Sequence, residues 1–257
     1  AEIRVGEGVA GFSAEIWARL PDVVTVALIS PSGERTSPIS LRQGQKYNLL
    51  FTFDGTEVTL EYRLLLENND SQLIFLRFTE PAEGVWKLEL LSVQRAVGDV
   101  HIWLPVQEFL SGEVFFLEAD ADTTVTEPGS SRAAMTVAYY NGRDNGVDIH
   151  SGRGYTRNEI IKPDYAAPGT EVTGAGIGGE FVSRTSSSAA AGIAAGASAL
   201  LMEWLKEQPG VGGVNSIQIR NTIILGAGKR DFMEYPNREW GYGTLNVYQS
   251  LDRLRQL

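Results

Sequence analysis

The sequence predicts a β-sandwich of jelly-roll type over residues 1–126, followed by the C-terminal part of an α/β layer structure over residues 127–257. Three observations carry this. Apolar residues alternate with polar ones up to about residue 128, which is the period of a sheet with one buried face. Turn chemistry interrupts that alternation at short intervals. Beyond residue 129 the texture changes to Gly-rich loops that feed a long helix of very small residues.

In the first region Val58, Leu60, Tyr62, Leu64 and Leu66 share one parity, with Thr59, Glu61 and Arg63 between them. Trp86, Leu88 and Leu90 alternate with Lys87 and Glu89 in the same way, as do Val100, Ile102 and Leu104. Pro31-Ser32-Gly33, Asp54-Gly55, Asn68-Asn69-Asp70 and Pro81-Ala82-Glu83-Gly84 are the turns. Seven or eight short strands at this spacing make an antiparallel sandwich.

In the second region Met135 to Tyr140 reads as a buried strand, and a Gly-rich loop region runs from Asn141 to Gly179. A helix is predicted over about Ser188 to Lys206. Gly192, Gly196, Ala189, Ala195 and Ala199 are expected to let it pack closely against neighbours, with Leu200, Leu201 and Trp204 buried. A second helix starts near Asn215, whose side chain suits a cap, and a third covers about Asn246 to Leu254. No internal repeat or low-complexity tract is present.

Composition narrows the function classes. A hydrophobic content of 43% with 21% charged residues belongs to a folded chain. The formal net charge of −10 speaks against a nucleic-acid groove or an anionic membrane surface as partner. With no cysteine, thiolate nucleophiles, disulfides and Cys-based metal sites are excluded. The opening Ala1-Glu2-Ile3-Arg4 is unlike a signal peptide. The longest apolar run, Ala189 to Met202, is shorter than the ~20 residues of a membrane span, so a soluble protein is expected.

Ser186, Ser187 and Ser188 stand directly before the small-residue helix. A helix amino end offers unpaired amides and a partial positive charge. A serine there either caps the helix or acts as a nucleophile whose oxyanion is stabilised by its own amide. The triplet alone leaves both readings open.

The stretch SGRGYTRNEIIKPDYAAPGTEV, Ser151 to Val172, adds to it. Together with the serine-led helix it resembles the closing half of the subtilisin-like serine proteases (subtilases). In that family an S-x-R-G-P-T segment leads into K-P-D-I-x-A-P-G, and G-T-S-x-A-A follows. Lys162-Pro163-Asp164-Tyr165-Ala166-Ala167-Pro168-Gly169 matches the second element, and Ser151-Gly152-Arg153-Gly154-Tyr155-Thr156 matches the first with Tyr155 in place of Pro. Glu127-Pro128-Gly129 with Met135-Thr136-Val137-Ala138 is similar to the segment upstream, and Trp240 to Leu251 to the final Gly-rich turn and helix.

The resemblance places the family's nucleophile on Ser188, with Ser186 and Ser187 at its Gly and Thr positions and Gly192 where Pro is common. Serine in the Gly position is expected to crowd or reshape that turn. The family's catalytic Asp, catalytic His and oxyanion-hole Asn precede the matched segment, and none of their motifs occurs in residues 1–126. Phe12 to Glu34 and Glu80 to Leu90 are similar to the jelly-roll insertion of the family's Csp-type germination branch. The resemblance therefore implies a C-terminal portion of such a protease, acting on peptide or protein substrates and inactive by itself. The alternatives are a pseudoprotease used as a binding or signalling module and a carbohydrate- or partner-binding sandwich using Trp17, Trp86 and Trp103.

Of the two histidines, His101 lies opposite the apolar parity and reads as a surface residue. His150 stands where the family has a hydrophobic or aromatic residue and no base. Asp164 is expected to hold its loop through backbone N–H groups. The acidic run Glu118 to Asp122 reads as a solvated linker rather than a calcium site. No cofactor or metal is implied. Half of a parallel sheet is expected to expose an apolar face unless it meets the missing N-terminal half or a second copy.

Overall fold

The computed structural model describes residues 1–39, 42–65, 70–92, 98–208 and 213–256, so Leu66 and the Asn68-Asn69 turn lie outside the described residues. The chain forms two compact units, Ala1–Ala119 and Asp120–Leu257. This division falls upstream of the composition shift at residue 126. The physical reason is that Thr123 and Thr124 donate from their amides to Gly154 and Arg153 at 3.1 and 2.8 Å. Asp122, expected in a solvated linker, is ion-paired with Arg153 at 2.9 Å and lies 3.6 Å from Arg238.

Among the described residues the first unit holds nine strands. They are β1 (Glu2–Val5), β2 (Gly11–Arg19), β3 (Val24–Ile29), β4 (Lys46–Phe51), β5 (Thr56–Leu65), β6 (Ser71–Thr79), β7 (Gly84–Ser92), β8 (Val100–Trp103) and β9 (Val114–Phe116). They build two antiparallel sheets, β3-β7-β1-β9 and β4-β5-β6-β2-β8. One apolar core joins residues of both sheets. Its centre is Trp86 on β7, fully buried, which meets Phe51 and Phe78 of the other sheet edge-on at 4.9 and 5.2 Å. The indole N–H donates to the Ala82 carbonyl at 3.0 Å, so this buried donor is satisfied. The predicted parity holds for Val58, Leu60, Tyr62, Trp86 and Leu88. Leu64 departs from it at 40% exposed, because Tyr62 is the last inward side chain of β5 that the core covers.

In the second unit β10 (Val137–Tyr140) pairs parallel with β11 (Tyr165–Pro168), and β12 (Val172–Ala175) with β13 (Phe181–Arg184) makes an exposed hairpin. Thr244 continues the sheet beyond β11 through an isolated parallel bridge to Ala166. Helices α1 (Ser187–Lys206), α2 (Ser216–Leu225) and α3 (Val247–Arg255) follow. Asn215 caps α2 in a reciprocal capping box with Gln218, and Asn246 caps α3. We expect Asn215→Ala to weaken α2 by about 1 kcal/mol, read as faster amide exchange confined to that helix. Close approach of α2 to α3 rests on Gly226, where a Cβ would fall 2.3 Å from the Ser250 Cα.

α1 departs from expectation. Its inner face, Ala190, Ala194, Ala197, Ser198 and Leu201, is buried, with Tyr165 of β11 in the same cluster as Ala194 and Leu201. Burial pushes the Tyr165 phenol up to about 12. Gly192 and Gly196, predicted to be close-packing notches, instead have nothing within 4 Å of an added Cβ. Leu200, expected in the core, is 56% exposed. The glycines lie on the face turned away from β10 and β11, and no described element covers it. By length and composition alone, the 20-residue α1 is also long and apolar enough to cross a membrane, unlike the run read from the sequence.

Candidate active site

The loop before β11 is held by a buried ion pair. Lys162, with a side chain 1% exposed, donates to Asp164 Oδ2 at 2.7 Å and to the Ala134 carbonyl at 2.6 Å. Asp164 Oδ2 also accepts the Thr136 amide at 2.8 Å, the loop-holding role expected of it. Its main chain completes the clamp: the amide donates to Thr136 and the carbonyl accepts from Tyr242. Gly154 lets the loop cross itself, since a Cβ there would stand 1.6 Å from the Lys162 carbonyl oxygen. The partner of Lys162 was not read from the sequence, although the Lys-Pro-Asp spacing was its signal.

β11 delivers this clamp to the serines. The Ser186 amide donates to the Gly169 carbonyl at 2.9 Å, directly after the Tyr165–Pro168 strand. Ser186 is the cap of α1: its hydroxyl accepts the Ala189 amide at 3.1 Å. Its backbone, φ −170° and ψ 159°, is ordinary extended chain. This conformation needs no glycine, so serine at this position brings no backbone strain to the turn. The capping role thus falls to Ser186 and leaves the Ser188 side chain free of it.

Ser188 is the second residue of the helix and is exposed. The cap consumes the third amide and leaves those of Ser187 and Ser188 without a hydrogen bond among the described residues. A hydroxyl at that place has its own amide and the positive end of a 20-residue helix beside it. That arrangement suits an oxyanion formed on a carbonyl attacked by Ser188.

His150 is 77% exposed, and its Nδ1 lies 3.1 Å from Asp148 Oδ1. Asp148 went unnoticed in the sequence; an Asp two residues before a His, across a turn, was its only sign. Bonds from the His150 amide, and then from Thr170 and the imidazole, hold its carboxyl below the usual carboxylate range. That support is complete above the ordinary Asp range and is lost as pH falls through the lowered value. His101 is half-buried on the outer face of its sheet, its ring stacked 6.4 Å from Trp103. Trp17 pairs in register with His101 on that face, whereas Trp86 is core, so the three tryptophans do not share a surface. No group of three or more His, Asp or Glu residues suited to a metal occurs among the described residues.

Comparison with known proteins bears on the fold. The structure of the Clostridium perfringens CspB protease superposes with a TM-score of 0.90 at 24% identity, over 100% of this chain and 55% of that one. The prenylagaramide maturation protease PagA (TM-score 0.43, 22% identity, 52% of this chain and 47% of that one) is more distant. So is the patellamide maturation protease PatA (0.42, 24%, 53% and 48%). The chain thus spans about half the length of the solved structures it matches. Among curated proteins none matches the sequence. At these identities the likeness speaks for fold. The sequence pattern of the subtilase family, peptidase S8, matches residues 90–243, more than half of the 257. The chain belongs to the subtilase family.

Proposed function

We propose that this chain carries the nucleophile of a subtilisin-like serine endopeptidase and that Ser188 is that nucleophile. The observation that supports it best is the exposed Ser188 hydroxyl at the second position of α1, with its amide left free by the Ser186 cap. Ser188 attacks the scissile carbonyl, and its amide contributes to the oxyanion site. The general base, the carboxylate that orients it and a second oxyanion donor come from a segment of the full protein upstream of this chain. That segment also covers the outer face of α1, where Gly192, Gly196 and Leu200 face outward. The alternation of consecutive strands between the two sheets, broken only by the β4-β5-β6 meander, favours reading the first unit as a jelly roll inserted into the protease.

A fluorophosphonate probe tests the assignment on the intact protease. Labelling is expected on wild type and lost in Ser188→Ala. Labelling that persists in that variant, or that maps to Ser187, overturns the assignment. This chain without the upstream segment is expected to give no appreciable peptide hydrolysis.

A further inference from the structure

The outer face of the five-stranded sheet carries side chains that neither the core of the first unit nor the serine site uses. Along β2 the core residues are Phe12, Ala14, Ile16 and Ala18, so Ser13, Glu15 and Trp17 point the other way. In register with Glu15 stand Trp103 of β8 on one side and Phe75 of β6 on the other. A carboxylate thus sits between two aromatic residues that are about 10 Å apart across two strand spacings. The His101 ring, 6.4 Å from that of Trp103 and 16° from parallel to it, extends the ring surface along β8. One row further, Ser13 is in register with Arg77. Gly11 has no side chain and Ser13 a short one, and the face there dips into a depression of about 340 Å³ lined by Ala10 to Ser13 and Arg77 to Thr79.

The polar groups beside the rings are open to a ligand. Glu15 Oε2 accepts the Trp17 indole N–H at 2.9 Å, which fixes the carboxylate and leaves Oε1 without a hydrogen bond among the described residues. Arg77 is exposed, forms no ion pair among those residues and lies 5.9 Å from the centre of the Phe75 ring. The Trp103 indole N–H, a donor only, is likewise unbonded among them. An apolar protein surface laid on this face would bury these groups unpaired. Charge on the face is close to balanced, with Glu15, Glu57 and Glu61 against Lys46, Arg63 and Arg77, so it favours no charged polymer. A pyranose with equatorial hydroxyls meets both demands: its axial C–H groups suit the negative face of a ring, and its rim supplies donors and acceptors. A β-1,4-linked chain of such units runs straight, as two aromatic residues on one sheet face require. We propose that this face binds a neutral β-linked oligosaccharide lying across β8, β2 and β6. One sugar stacks on Trp103, a hydroxyl donates to Glu15 Oε1, and another accepts from Arg77 beside the depression. The site does not depend on the assignment of Ser188.

The test is calorimetric titration of the intact protease with cellohexaose and with chitohexaose, and with α-linked maltohexaose for contrast. At least one β-linked sugar is expected to bind. Trp103→Ala should lower its affinity about tenfold or more, and Glu15→Gln and Arg77→Gln about fivefold to tenfold each. Phe115→Ala, which removes an exposed ring from the other sheet, should bind as the parent does. Glu15→Gln and Arg77→Gln change no core residue, so their melting temperatures should match the parent's and separate lost binding from lost folding. Failure of both β-linked sugars to bind overturns the proposal, as does equal affinity in parent, Trp103→Ala, Glu15→Gln and Arg77→Gln. Maltohexaose binding as tightly as the β-linked sugars overturns it too. Binding by this chain alone but not by the intact protease shows that another part of the protein occupies the face, and also overturns it.

Discussion

Replacing Lys162 with Met is expected to destabilise the second unit by about 3–5 kcal/mol, the usual cost of leaving one member of a buried ion pair without its partner. Both side chains are almost fully buried, and the pair lies 2.7 Å apart. With the ammonium gone, the Asp164 carboxylate keeps the Thr136 amide and has, among the described residues, only Arg220, 4.0 Å away, as a further cation. The loss reaches the serines because Asp164 joins the segment before β10 to the start of β11 and to the Tyr242 turn. Hydrogen exchange should show β10 and β11 opening together while the strands of the first unit stay protected. Removing both charges in Lys162→Met/Asp164→Asn should recover much of the loss, since no buried charge is then stranded. A single variant as stable as wild type would show that the clamp contributes nothing.

The second large effect bears on the proposed upstream segment. Gly192→Leu and Gly196→Leu meet nothing within 4 Å here, so in the chain alone each should stabilise α1 by up to about 1 kcal/mol, the helix cost of glycine. In the intact protein the upstream segment is proposed to pack on this face. Leucine at either position should then prevent that packing and abolish fluorophosphonate labelling of Ser188, although the residue itself is unchanged. Full labelling of Gly196→Leu in the intact protease would remove the upstream segment from this surface.

Much of the architecture was legible because it is written in local patterns. Strand parity around Trp86 and Tyr62 follows from a period of two, and the Asn215 and Asn246 caps follow from short-range hydrogen bonds. The helix after the serines was expected from Ser188 and begins at Ser187, a difference of one residue made by the Ser186 cap. Glycines were less legible. Gly154 and Gly226 are demanded by close contacts with residues far along the chain, whereas Gly192 and Gly196 meet no such contact in this unit. A glycine in a helix looks the same in sequence whether its neighbour is present or belongs to a segment elsewhere.

By itself the sequence determined the two textures, the positions of caps and turns, and the motif that marks the family, since each depends on residues a few positions apart. Only the tertiary structure decided that Ser186 caps while Ser188 stays exposed, that Lys162 closes on Asp164, and that Asp148 aims His150 outward. It also decided which face of α1 is covered. These outcomes depend on which groups meet through space and on how much water is excluded around them. A linear order of residues does not specify that until the chain has folded.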